Sequence, residues 1–222
     1  MANVVKETRD VGEFHKINMK GVGKIVLAQG SKQKVTIEAD EYVMGRIRID
    51  VIDEELIIDV GRDWVEKLSA GLDYLSTREV TFYITVEDIK ALDIAGGCKL
   101  ESAKFRSDNF DIKISGASSV NFDDLKADAL RISMPGACKV ELKGSADELD
   151  VNLTGAGSFI GSDFKVEKAK VNITGVGSAT LWVADELEVN ITGVGTVQYY
   201  GEPTIKQSVA MMGTVKSLGK KS

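Results

Sequence analysis

The phrase Val171-Asn172-Ile173-Thr174-Gly175-Val176-Gly177 returns as Val189-Asn190-Ile191-Thr192-Gly193-Val194-Gly195, and earlier as Val151-Asn152-Leu153-Thr154-Gly155-Ala156-Gly157. Looser copies end at Gly96, Gly116 and Gly136, so the first glycines of six copies are spaced by 20, 20, 19, 20 and 18 residues. A fixed period of this size marks a stack of equivalent units, none of which can bury its own apolar edge alone. Within each phrase the apolar pair (Leu92/Ile94, Ile112/Ile114, Ile132/Met134, Val151/Leu153, Val171/Ile173, Val189/Ile191) alternates with polar residues, which is the two-residue period of a strand. Two further columns recur, Leu100/Val120/Val140/Phe159/Ala179/Val197 and Phe110/Leu130/Leu149/Ala169/Leu187. Three inward columns per coil describe a roughly triangular turn. The fold expected is therefore all-β, a single-stranded right-handed β-helix with coils of 18–20 residues. Left-handed hexapeptide coils fit less well, because three hexapeptides per coil are not present.

The glycines are expected to stand in columns at a corner, where a β-carbon would obstruct a bend or a close backbone approach. They are Gly21, Gly23, Gly96, Gly116, Gly136, Gly155, Gly157, Gly175, Gly177, Gly193 and Gly195. The first two belong to Lys20-Gly21-Val22-Gly23, a divergent copy near the N-terminus. We divide the chain into an extension over 1–11, one β-helical domain over 12–216 and a frayed tail over 217–222. Within the domain the coils are irregular over 12–90 and regular over 91–216. Trp64, Val65, Leu68, Leu72 and Leu75 break the strand pattern, so a short helical or loop insert is expected near 62–76, serving as a plug or as a flap.

Bulk composition narrows the function. The net charge is −6 with the basic residues scattered, so no stripe is available to neutralise phosphates and nucleic acid is an unfavourable partner. No apolar run reaches the length of a transmembrane helix. The first residues lack the apolar core of a signal peptide, which leaves two possibilities: a cytoplasmic protein, or one whose leader has been removed. The two cysteines, Cys98 and Cys138, occupy equivalent positions two coils apart, roughly 9.6 Å at strand spacing. A disulfide does not span that distance, so both are expected as free thiols with no metal between them.

Catalytic candidates are few. His15 is the single histidine and has no partner in any motif, which counts against Ser-His-Asp and Cys-His arrangements. Of the acids Asp123-Asp124, Asp147-Glu148, Asp163 and Asp185-Glu186, the pairs at 147–148 and 185–186 fall at the same turn of their coils, as solvated corners do, and all are assigned to the surface. A polysaccharide lyase or hydrolase needs two or three acids with a base in one groove. No cofactor is implied. The outward residues Asn152/Thr154, Asn172/Thr174 and Asn190/Thr192 form the best candidate binding surface, for carbohydrate hydroxyls or in principle ice, unless they are a self-satisfied asparagine ladder. Trp182, Tyr199 and Tyr200 either extend that surface or pack under a cap. The Asn-x-Thr triplets are also glycosylation sequons, but they arise from the repeat itself.

The strand-Gly-x-Gly phrase, together with Phe14-x-x-Ile17 before Gly21-Val22-Gly23 and the Gln29-Gly30…Val35-x-Ile37 segment, resembles the auto-transporter adhesin "head GIN domain" family of Bacteroides-type bacteria. The resemblance spans about 12–215. It implies a secreted, periplasmic or outer-membrane-associated adhesin whose partner is a surface glycan or protein, and it supplies no catalytic residues. The chain departs from the pattern at Cys98, Ser118 and Cys138, where the second glycine is absent. Three functions stand open: a non-catalytic adhesive rod, a carbohydrate-active enzyme, and a bactofilin-like scaffold with bare apolar ends.

Overall fold

Each regular coil hydrogen-bonds to the next along its whole length, because its apolar residues have no other place to be buried. The computed structural model describes residues 3–60 and 80–221 as a β-solenoid of about six turns. The expected insert near 62–76 lies outside the described residues. In chain order the elements are β1 (Val4–Arg9), β2 (Lys16–Gln29), β3 (Lys34–Asp40), α1 (Glu41–Met44), β4 (Arg48–Ile52), β5 (Glu55–Asp59) and β6 (Thr81–Val86). The stack follows as β7 (Ala91–Ser102), β8 (Phe105–Gly116), β9 (Ser119–Met134), β10 (Ala137–Leu153), β11 (Ala156–Ile173) and β12 (Val176–Ile191), then β13 (Val194–Tyr200), β14 (Thr204–Val209) and β15 (Met212–Ser217).

From β7 onward the pairing is parallel and runs through the repeat: Val151 faces Val171, Asn152 faces Asn172 and Ile173 faces Ile191. The three inward columns read from the period are buried throughout. Three columns understate the interior, however. Phe122, Leu142, Leu181 and Tyr199 are buried as well, as are Phe105 and Leu125, so each coil carries more inward positions than the phrase alone reveals. Phe105, Phe110 and Phe122 meet with ring centres 5.4, 6.1 and 5.9 Å apart, a cluster from one coil and the next.

Coils of unequal length are reconciled on the sides of the turn, as in the shift between Glu141 and Lys143 against β11. Register shifts fall between Leu142 and Gly144 against β9, and between Ile160 and Lys165 and between Val166 and Lys168 against β12. These positions lie on the sides past the glycine corner. The strand leading into each first glycine stays in step.

The glycine column is continuous. A β-carbon built on Gly175 would sit 2.0 Å from the carbonyl oxygen of Gly155, and one on Gly193 would sit 2.0 Å from that of Gly175. The same contact runs back through Gly136, Gly116 and Gly96 to Gly21. Gly21, Gly96 and Gly116 also have φ of 127°, 131° and 93°, whereas the later members do not adopt left-handed φ. Close approach to the backbone of the preceding coil is therefore what the column shares from Gly96 onward.

Cys98 and Cys138 occupy the parallel column with Ser118 between them. Both are buried free thiols. Cys98 Sγ donates to the carbonyl of Gly21 at 3.4 Å and Cys138 Sγ to that of Ile114 at 3.2 Å, while Ser118 Oγ accepts from the Cys98 amide at 3.1 Å. Burial pushes the Cys98 thiol up to about 12 and raises that of Cys138. Neither is a usable thiolate near neutral pH. Alkylation at pH 8 is expected to label neither cysteine in the folded protein and both in guanidinium, as read by intact mass. Ready labelling of the native protein would contradict this packing.

The N-terminal part departs from consecutive winding. β2 pairs with β7 in register, Gly21 opposite Gly96, yet its other edge is covered by β5 and β6, which come later in the chain. β3 runs antiparallel to β6 and to β1, and β4 forms an antiparallel hairpin with β5. The short α1 is N-capped by Asp40, whose carboxylate accepts from the Tyr42 amide at 3.0 Å. The described residues of 12–60 and 80–90 therefore form an interleaved cap over one in-register coil. At the other end, 218–221 is tied down instead of fraying: the Leu218 amide donates to the Tyr199 carbonyl at 2.7 Å, and the Gly201 amide to that of Gly219 at 3.0 Å.

Candidate binding face and groove

The strand leading into each first glycine turns every second side chain outward, so one flat face of the solenoid is ruled into columns. Asn152, Asn172 and Asn190 form the middle column. Asn172 Nδ2 donates to Asn152 Oδ1 at 2.9 Å, and Asn190 Nδ2 donates to Asn172 Oδ1 at 3.1 Å. The ladder is anchored sideways, with Asn152 Nδ2 donating to Asp150 at 2.8 Å and Asn190 Nδ2 to Glu188 at 3.0 Å. These amides hold one another rigid.

Thr154, Thr174 and Thr192 form the next column and are exposed. Their amides are engaged by the coil beneath, Thr174 donating to Leu153 and Thr192 to Ile173, both at 2.9 Å. Past the corner, Ala156, Val176 and Val194 stand in register and exposed beside them. Rows of hydroxyl and methyl groups therefore lie side by side at the coil repeat, about 4.8 Å.

On the opposite flank the columns become charged. Asp111, Arg131, Asp150, Lys170 and Glu188 follow one another in register, two residues before the polar ladder. They form one wall of a groove of about 370 Å³, whose floor includes Phe110, Leu130, Leu149 and Ala169 and whose other wall carries Asn109, Glu148, Lys168 and Glu186. Sequence reading assigned Glu148 and Glu186 to solvated corners and overlooked the groove between them. The signal was present as a column of alternating sign at the repeat step.

This groove gathers acids and bases in one place, the arrangement expected of the enzyme alternative. Its charges are interleaved, however. Lys170 pairs with Glu188 at 2.9 Å, Arg131 with Asp111 at 3.3 Å, and Lys206 of β14 with Glu186 at 2.7 Å. Lys206 holds the Glu186 carboxyl below the ordinary carboxylate range, and Lys170 does the same for Glu188. Glycoside cleavage by paired carboxyls needs one of them kept protonated. The lysines here act in the opposite sense.

Trp182 belongs to another side. In register it faces Lys165 and Tyr200, not the ladder. Lys221 lies over both rings, 5.0 Å from the Trp182 centre and 5.3 Å from that of Tyr200, and is paired with Asp163. That contact pins the C-terminal segment and had no sequence signature. His15 sits immediately before β2, 3.7 Å from Glu13. Among the described residues no group of acids, histidines and cysteines could hold a metal, and no helix is long and apolar enough to cross a membrane.

Residues 13–203 match the family described as "Putative auto-transporter adhesin, head GIN domain". Solved structures share the fold. A putative adhesin from Bacteroides fragilis is 22% identical with a TM-score of 0.86, each chain covered to 97%. A putative adhesin from Parabacteroides merdae is 21% identical with a TM-score of 0.70, over 97% of this chain and 96% of that one. A putative lipid binding protein from Parabacteroides distasonis is 17% identical with a TM-score of 0.74, over 97% of both. The comparison with curated proteins gives no match.

Proposed function

We propose, from the premise that the chain belongs to the putative auto-transporter adhesin, head GIN domain family, that it is a non-catalytic, adhesin-like protein of the cell envelope or exterior. Its ligand is a polar surface molecule, in the first instance a carbohydrate. The carrying observation is the exposed column Thr154/Thr174/Thr192 beside Ala156/Val176/Val194, over an asparagine ladder that is already hydrogen-bonded. Sugars present hydroxyl edges and C–H faces together, and a rigid row of hydroxyls beside methyls complements both. A site fixed in advance loses little entropy on binding.

A glycan array probed with the wild type and with Thr174→Ala, Asn172→Ala and Trp182→Ala tests this reading. Thr174→Ala and Asn172→Ala are each expected to weaken binding about tenfold, the scale of one or two lost hydrogen bonds. Trp182→Ala reports whether the neighbouring side contributes as well. No binding by the wild type, or binding indifferent to Thr174 and Asn172, removes the face as a site.

The second reading, a carbohydrate-active enzyme, is favoured by the groove alone. The ion pairs that keep Glu186 and Glu188 ionised speak against it.

A further inference from the structure

The two ends of the solenoid are finished differently. At the N-terminal end β1 crosses antiparallel to β3, and its edge is charged, with Lys6 on Glu38 at 2.7 Å and Arg9 on Glu7 at 3.1 Å. Such charges deter strand addition. At the C-terminal end β14 pairs only with β12 and β15 only with β13 among the described residues. Ile205 and Val209 continue the inward columns of Leu187 and Ile191, yet they are 36% and 41% exposed. Met211 and Met212, at the adjacent corner, are 81% and 73% exposed.

The free edge of β14 has a definite polarity. The Ala210 amide donates to Ile191 at 2.8 Å, and a parallel ladder alternates the direction of successive peptide groups. The peptide N–H and C=O of Ile205, Gln207 and Val209 therefore point away from β12. From these features we propose that β14 is a self-association edge, on which a second copy of this chain adds its own β14 antiparallel about a two-fold axis passing between the two Gln207 residues.

Three features commit the proposal to a second copy. The strand Ile205-Lys206-Gln207-Ser208-Val209 is self-complementary about its centre, so Ile205 faces Val209 of the other copy and the two glutamines face each other. In that register the outward peptide groups of 205, 207 and 209 meet as hydrogen-bonded pairs, and the inward-facing side chains of both ends meet across the seam, Ile205 and Val209 flanking the two glutamines that continue the column of Val189. The charges also agree: Lys206, paired with Glu186 at 2.7 Å, lies opposite Ser208 of the second copy and not opposite another lysine. The interface does not depend on what the outer face binds.

Sedimentation velocity of the full chain over a concentration series provides the test. The wild type is expected to form a concentration-dependent dimer. Gln207→Pro removes an amide that makes no bond to β12, a substitution tolerated on an open edge, and should weaken the dimer about tenfold or more. Ser208→Lys, placed opposite Lys206 of the other copy, should weaken it about threefold, and Ser208→Glu should tighten it about threefold. Circular dichroism and denaturant midpoints check that each variant is folded, and the Ser208 pair decides should the proline variant not fold. A wild type that stays monomeric, a dimer indifferent to Gln207→Pro, or Ser208 variants that shift in the same direction would each overturn the proposal.

Discussion

Gly175→Val is expected to cost more than about 3 kcal/mol, whereas Thr180→Val should stay within about 0.5 kcal/mol. The difference lies in what the new atoms meet. At position 175 the first added carbon falls 2.0 Å from the Gly155 carbonyl oxygen and 2.7 Å from that of Thr154. Both are backbone atoms that are themselves fixed by the stack, since the Val176 amide donates to the Gly155 carbonyl at 3.0 Å. Relief requires separating two coils. Thr180 is half-buried and faces outward, between Ile160 and Gln198 in register, and exchanging its hydroxyl for a methyl adds no bulk. Denaturant midpoints of the two variants settle the matter, and equal midpoints would mean that the glycines do not mark the closest approach between coils.

Phe122→Ala should destabilise by about 3–5 kcal/mol, and Phe122→Leu by less than about 1.5. Phe122 is fully buried and lies 6.1 and 5.9 Å from the rings of Phe105 and Phe110. Removing it leaves a void bordered by two aromatic rings, and the parallel strands on either side cannot move inward without breaking register with their neighbours. Thermal and chemical denaturation of the two variants give the comparison. Similar losses for Ala and Leu would point to ring geometry, not filled volume, as what this cluster contributes.

How much of this could be read from the residues depends on where repetition holds. Between Leu92 and Val197 each copy reports on its neighbours, so the glycine column, the buried pairs and the free thiols all follow from spacing. Near the N-terminus spacing carries no such information. Lys20-Gly21-Val22-Gly23 is recognisable as a coil phrase, but the strands that flank β2 come from 55–59 and 81–86, and no period announces that order. The ruled face proposed for binding is legible in the sequence through Asn172 and Thr174. The groove beside it is signalled only by the alternating signs of Asp111, Arg131, Asp150, Lys170 and Glu188 at the repeat step, which the glycine period does not reveal. Lys221 over Trp182 joins residues 39 positions apart through side chains alone, with nothing in either neighbourhood to signal it.

The coils differ by up to two residues, and that difference is taken up entirely on the sides beyond the glycine corner, leaving the strand that carries the asparagines and threonines undisturbed. One region of each turn thus acts as slack and another as ruler. Small insertions and deletions accumulated during descent can be accepted in the slack without shifting any group on the ruled surface, so a lineage is free to vary its coil lengths while the pattern it displays to the outside keeps its pitch.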